Sequence, residues 1–568
     1  GGSMETRRFI LALSLSLLVF VGYMRFFAPQ PPVKPAAPVP VQAKQEAAQE
    51  QPVQKPLRAV ALAAKIEQAA RGRDIVIETD LVKATVNTAG GVITGWELKH
   101  YTESDKTPVG LIVMYHKIMG QAPKVEAPKK VLGKVQLLPV YADIDKKDMV
   151  APLTMMPLDK ELYKLSQVEY RTDHDALRLS ADKKSETLVL TYAGPAGLQI
   201  EKRLTFYNDE YKVDVVINTS GLSGYDLSLG TDFGLADKVS SDASGRVGLA
   251  AQTDGKVITE KLGDIKGEVQ HAGSIAWFGQ EDKYFTAAIM YGGQGLVTGK
   301  RTLAPKEVGD LLTTALTVKE KPEARSFTLY AGPKSFSLLQ SYGRGLEQMV
   351  DYGWFGILAK PMFWLMKQFY AFTGNYGIAI ILLTIVVRIL LFYPSLKSAT
   401  SMEEMKKIQP QIMALREKYK KDPTKMNTEM MKLYKDHKVN PVGGCLPMLL
   451  QLPFFVALYN VLSVSIELRH ASFIPFWIKD LSVFDPYYIL PVLMGVSMIL
   501  TMKMTSSTPD PQQAKIMMFM NVAFIFMFAW LPAGLLLYIT LSNVLSIVQQ
   551  LYVRKLIGAS GNTPLLSP

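Results

Sequence analysis

At 568 residues the chain is long enough for more than one domain. Its mean hydropathy is +0.11 although 20% of its residues are charged, because long apolar runs crowd into the last third; a membrane protein with a large polar domain fits this. Cytoplasmic Lys and Arg account for the net charge of +12 better than nucleic-acid binding does, and the single cysteine, Cys445, excludes an intrachain disulfide.

Gly1-Gly2-Ser3 ahead of Met4 reads as a cloning remnant. Arg7-Arg8 and then "FILALSLSLLVFVGYM" read as a signal peptide or an uncleaved anchor. The following "RFFAPQ" lacks a small-x-small cleavage pattern, which favours an anchor over residues 4–28 with Arg7 and Arg8 in the cytoplasm. Residues 29–57 are rich in Pro, Ala and Gln, cannot bury a core, and read as an extended tether.

Residues 58–333 alternate with a period of two. "LVKATVNTAGGVITGWEL" and "LQIEKRLTFYNDEYKVDVVINTS" are strand pairs around Gly or Asn-Asp turns, so a large antiparallel β sandwich is expected. Residues 334–374 mix Trp354, Trp364, Phe369 and Tyr370 with Lys360 and Lys367, the make-up of helices lying in a membrane interface. Lys360-Pro361 and Lys367 interrupt what would otherwise be a further span.

Residues 375–555 hold five candidate spans: about Tyr376–Tyr393, Val442–Ile466, Tyr487–Met504, Lys515–Trp530 and Ala533–Tyr552. The loop 397–438 carries eleven Lys or Arg and six acids, whereas 467–486 carries two basic residues and three acids. The first is therefore expected in the cytoplasm and the second outside. With the anchor this gives six spans, both termini inside, the β domain outside, and a short tail over 556–568. Within the cytoplasmic loop Met402, Met405, Ile408, Ile412, Leu415 and Tyr419 step by three or four, and Met426, Met430, Leu433 and Tyr434 repeat the pattern. Asp422-Pro423 between them is an N-cap with Pro at the first helical position, so an antiparallel helical hairpin is expected.

Sequence motifs for nucleotide, metal and redox chemistry are wanting. "GGQGLVTGKR" fails as a phosphate loop because Gln294 and Arg301 stand where Gly and Ser or Thr are required. His100, His116, His174, His271, His437 and His470 show no metal-ligand spacing, and Cys445 has no CxxC partner. No cofactor and no covalent catalysis are expected.

The motifs "GNYGIAIILLTIVVRILLFYP", "KVNPVGGCLPMLLQLPFFVALYNVL", "DLSVFDPYYILPVLMG" and "LPAGLLLYITLSN" together resemble the YidC membrane-protein insertase family of Gram-negative bacteria. The resemblance is dense over 351–555 and looser over the anchor, tether and β domain. It implies an α+β membrane protein of the bacterial inner membrane: six transmembrane helices, an anchor plus a five-helix insertase core, with a large periplasmic antiparallel β supersandwich. It implies a hydrophilic groove whose arginine falls on Arg388, with Thr384, Gln451 and Tyr538 as groove residues and Leu452, Pro453 and Phe455 as positions meeting substrate helices. Relatives often carry a second tyrosine where this chain has Ile539. The implied partners are nascent or newly made membrane proteins, the Sec translocon and its accessory subunits, the ribosome and the lipid bilayer.

Arg388 in an apolar run has two readings. A central Arg costs about 2.5–3.5 kcal/mol on insertion scales. It lies only five residues from Tyr393, so it can snorkel to the headgroups, or it can line a wet groove. Gln451, Asn521 and Asn543 add polar groups at that depth; for Asn521 and Asn543 a helix–helix hydrogen bond is the plainer expectation. Competing classes are a polytopic transporter, which would show repeated halves or paired intramembrane charges, and a membrane-tethered sugar-binding protein, for which no catalytic spacing stands out.

Overall fold

A computed structural model describes residues 72–103, 133–139, 149–236, 238, 247–305, 308–319, 324–420, 422–437, 446–505 and 518–559, except 520–521 and 526. The expected anchor and tether, His116, Cys445 and Asn521 lie outside the described residues, as do 515–517, 520 and 526 of the candidate span 515–530.

The period-two stretches are strands. In Lys212–Ser220, Val213, Val215 and Ile217 are buried while their neighbours are less so. This strand pairs antiparallel with Gln199–Tyr207, setting Leu204 opposite Val215 and Phe206 opposite Val213. Among the described residues the strands form a five-stranded and an eleven-stranded sheet. One pairing departs from the antiparallel expectation: Asp74–Glu78 runs parallel to Ala176–Arg178. The sequence distance between them leaves room for the crossover a parallel pair needs. The two sheets share one core. Trp96 of the small sheet donates Nε1–H to the Ala331 carbonyl of the large one at 3.1 Å and meets Phe233 edge-on. The rejected phosphate-loop stretch lies inside the 18-residue strand Phe285–Thr302, so it forms no loop at all.

Lys202 breaks the alternation. It is fully buried, and its ammonium donates to the carbonyls of Gly90, Gly91 and Leu153 at 2.8, 3.1 and 2.9 Å. Burial pulls its pKa down to about 7, and the three acceptors offset that cost for the charged form. Lys202→Met leaves three buried carbonyls without this donor. The expected loss is about 2 kcal/mol in the β domain, read as a lower urea midpoint of the full chain by tryptophan fluorescence. An unchanged midpoint refutes it.

After the last strand come, among others, the helices α1 (Phe336–Ser341), α2 (Gly356–Thr373), α3 (Tyr376–Leu390), α4 (Phe392–Lys418), α5 (Pro423–Asp436), α6 (Leu446–Val464), α7 (Ile489–Thr505) and α8 (Ala533–Ala559). Helix α2 runs through Pro361 to a left-handed Gly374 at its C-terminus. Its lysines find partners on α1: Lys367 donates to Ser337 at 3.1 Å, and Lys360 sits over the Phe336 ring. Asn375 then caps α3, accepting from the amides of Gly377 and Ile378, while its own amide donates to the Phe473 carbonyl at 2.9 Å. Gly377 is required here, because a Cβ at this position would overlap the Phe473 ring.

The apolar helices differ in reach. Of the described helices, only the Ala533–Lys555 part of α8 is long and apolar enough to cross a membrane alone. Helices α3 and α4 form a pair bent by 65°, and the apolar stretches Leu450–Val464 and Ile489–Met504 are shorter. Their outward faces are greasy: Ile378, Ile385, Val386 and Ile389 on α3, Val492, Val496 and Leu500 on α7, and Val544 and Val548 on α8 are exposed. Their inward faces are also apolar, with Ala379, Ile380, Leu383, Ala457, Leu458, Val461, Leu535 and Leu536 buried. Helices apolar all round belong in hydrocarbon.

Candidate groove around Arg388

Helix α3 carries Arg388 in its last turn, where a cation also complements the helix C-terminus. Tyr376, Ala379, Ile380, Leu383 and Val387 bury one face of α3, and Arg388 sits half-buried at the edge of that face. The side chain reaches across the bundle. One Nη2 donates to Gln451 Oε1 on α6 at 3.3 Å and to the Ser542 carbonyl on α8. Helices α3, α6, α7 and α8 contain no Asp or Glu, so the guanidinium is held by neutral acceptors.

Tyr538, one turn before Ser542, is 1% exposed, and its hydroxyl faces Arg388, Gln451 and Ser542. The hydroxyls of Tyr538 and Ser542 are buried and meet the strict geometry of a hydrogen bond with no protein group. A cation, an amide and two hydroxyls thus converge among apolar helices, with unused donor and acceptor capacity. Burying such groups dry is costly.

The other expected site residues are placed differently. Thr384 is fully buried, and its hydroxyl donates to the Ile380 carbonyl of its own helix at 2.7 Å. Gln451 joins Arg388; Leu452 is 45% exposed, and Pro453 and Phe455 are partly buried, Phe455 against the core. Ile539 also packs against the core. Asn543 bridges helices, donating to Ser497 Oγ of α7 at 3.1 Å. Ser542 escaped sequence reasoning, although its place four residues after Tyr538 puts both on one face of α8.

The hairpin and the opposite end frame this cluster. Asp422 caps α5 by accepting from the Lys425 amide at 3.0 Å, and Pro423 is its first residue. Ile408 and Ile412 of α4 pack with Met405, Met430, Leu433 and Tyr434. At the other end the loop after α6 is tied down. Buried Asp485 accepts from Trp477 Nε1 and from the amides of Tyr487 and Leu490. Arg469 donates to the Thr102 carbonyl of the β domain at 2.8 Å, over the rings of Tyr284 and Phe285. Glu467 accepts from Ser335 at 2.9 Å, and burial pushes its carboxyl up.

A family model described as 60Kd inner membrane protein matches residues 368–560, and one described as YidC periplasmic domain matches 137–365. A membrane protein insertase YidC of Geobacter metallireducens is 36% identical over 98% of this chain and 99% of its own. The chain belongs to the YidC membrane protein insertase family. The YidC insertase of Geotalea daltonii is 34% identical over 97% of this chain and 99% of its own. The crystal structure of an active YidC insertase with its first transmembrane domain resolved is similar at a TM-score of 0.36 and 19% identity, over 87% of this chain and 96% of that one. The strands of the eleven-stranded sheet lie within the periplasmic-domain match, and Arg388, Gln451, Tyr538 and Ser542 all lie within the inner-membrane match.

Proposed function

We propose that this chain inserts and folds proteins of the bacterial inner membrane, alone or with the Sec translocon, without nucleotide hydrolysis. Newly made membrane proteins delivered by ribosomes are its substrates. It has six spans with both termini in the cytoplasm. The observation that carries this reading is the Arg388–Gln451–Tyr538–Ser542 cluster, polar and free of acids, inside helices whose outer faces are apolar.

A substrate with a short polar or acidic external tail has to take that tail through hydrocarbon. A wet groove around Arg388 shortens the path. A unit charge about 4 Å from a carboxylate, at an effective dielectric near 20, gains about 4 kcal/mol before desolvation. The inside-negative potential adds about 2.3 kcal/mol per 100 mV for each negative charge exported. The substrate's apolar segment then passes along Leu452, Pro453 and Phe455 into lipid, driven by burial from water. The reaction is facilitated transfer, and no bond is made or broken.

The test is depletion of a host's own insertase and rescue by this chain, scoring insertion of a small single-span client. Failure to restore insertion by chain that reaches the membrane overturns the reading.

The periplasmic domain is expected to be dispensable for insertion itself, because the described apolar helices all follow it. The strand Arg325–Pro333 pairs with both Lys212–Ser220 and Phe285–Thr302, so a deletion has to remove it as well. Excising 66–333 is expected to leave most insertion intact while lowering the thermal stability of the helical part, since Arg469 loses the Thr102 carbonyl and the Tyr284 and Phe285 rings. Complete loss of insertion in a stably expressed deletion refutes this.

A further inference from the structure

Helix α4 leaves α3 through the 65° bend at Leu391, so chain continuity alone does not set the direction of the hairpin. The apolar contacts of the hairpin's own cluster are between α4 and α5. What orients it is a set of polar ties at its base. Lys406 and Arg554 both donate to the same Glu403 oxygen, at 2.8 and 3.0 Å. Both cations also donate to the Met504 carbonyl at the C-terminal end of α7, Arg554 at 2.7 Å. Positive charge at that end is where the helix dipole favours it. Burial by itself raises the Glu403 carboxyl, but hydrogen bonds from Lys406 and Arg554 outweigh it and hold it below its usual range.

A second tie joins α8 to the start of α4. Ser395 donates to Gln549 Oε1 at 3.1 Å, and Gln549 donates back to the Phe392 carbonyl at 3.3 Å. Between the ties Ala399, Met402, Gln550 and Val553 close around a space of about 10 Å³. Helix α8 therefore holds the hairpin at one end and presents Tyr538 and Ser542 to Arg388 at the other.

We infer that Glu403, Lys406 and Arg554 form a latch that positions the cytoplasmic hairpin over the groove, so that a captured client is presented to Arg388. These are positioning residues, one step removed from the substrate. The inference rests on the insertase reading for its consequence, but the latch itself is testable without it.

Spin labels at Met431→Cys on the hairpin and Val544→Cys on α8, in a Cys445→Ser background, report hairpin placement in the purified full chain. Both positions are exposed. The unmodified latch is expected to give one narrow distance distribution. Glu403→Gln and Arg554→Gln are each expected to broaden it and to lower client insertion about three- to fivefold, with the double variant no worse than either single one. Arg554→Lys keeps a cation within reach and is expected to preserve both readings. Only monodisperse protein with unchanged helical content is compared, which separates latch loss from misfolding. Unchanged distances in both Gln variants, or additive effects in the double variant, overturn the latch. A broadened distribution with undiminished insertion overturns its role in presentation. Failure of the insertase reading would show instead as no insertion by the parent chain.

Discussion

Arg388→Ala is expected to lower insertion of clients with acidic external tails about tenfold, and to leave clients with neutral tails nearly unaffected. Tenfold corresponds to about 1.4 kcal/mol, a fraction of the unscreened attraction between a guanidinium and a carboxylate in a semi-polar site. Arg388→Lys is expected to keep most activity. The contacts of Arg388 are a side-chain amide and a main-chain carbonyl, which an ammonium can also satisfy, and no carboxylate demands a bidentate fork. A cysteine at position 388, with Cys445 replaced, is expected to react with a water-soluble thiol reagent from the cytoplasmic side. Equal insertion of acidic and neutral tails by the Ala variant, or an unreactive cysteine, reduces Arg388 to an interfacial anchor.

Replacing residues 397–438 by a short Gly/Ser linker is expected to give the other large effect, a several-fold loss of insertion and of ribosome association with the span helices still folded. Ile408, Ile412, Met430 and Leu433 bury one another, so their removal leaves no large void in the bundle. The exposed Met413 and Met431, beside Lys418, Lys425 and Lys432, make an adaptable basic surface suited to apolar segments and acidic partners. Normal insertion together with normal ribosome association in the linker variant refutes this role.

The periods and caps were legible in advance because they are local. Alternation marked Gln199–Tyr207 and Lys212–Ser220 as strands, since side chains on a strand change face at every residue. Asp422-Pro423 marked the start of α5 because an N-cap acts on amides two or three residues away. Arg388 stood out because a charge in an apolar run is costly wherever the run folds. Tyr538 and Thr384 came from family likeness, and their surroundings did not.

Tertiary structure alone decided which groups meet. Position in the chain does not tell that Arg388 would find the Ser542 carbonyl 154 residues away, because main-chain acceptors are freed or occupied by helix ends and packing angles. Nor does it tell that Thr384 would bond its own helix, since a threonine hydroxyl has a local acceptor four residues back whether or not a groove is near. The parallel pairing of Asp74–Glu78 with Ala176–Arg178 was hidden for the same reason: period two fixes the face of a residue but not the direction of its neighbour strand. By itself the sequence determined an apolar helical part, a β domain, a basic hairpin and one out-of-place arginine. The bundle decided the rest, because hydrogen bonds and ion pairs act over a few ångströms, and only packing brings Arg388 to Gln451 or Glu403 to Arg554 within that range.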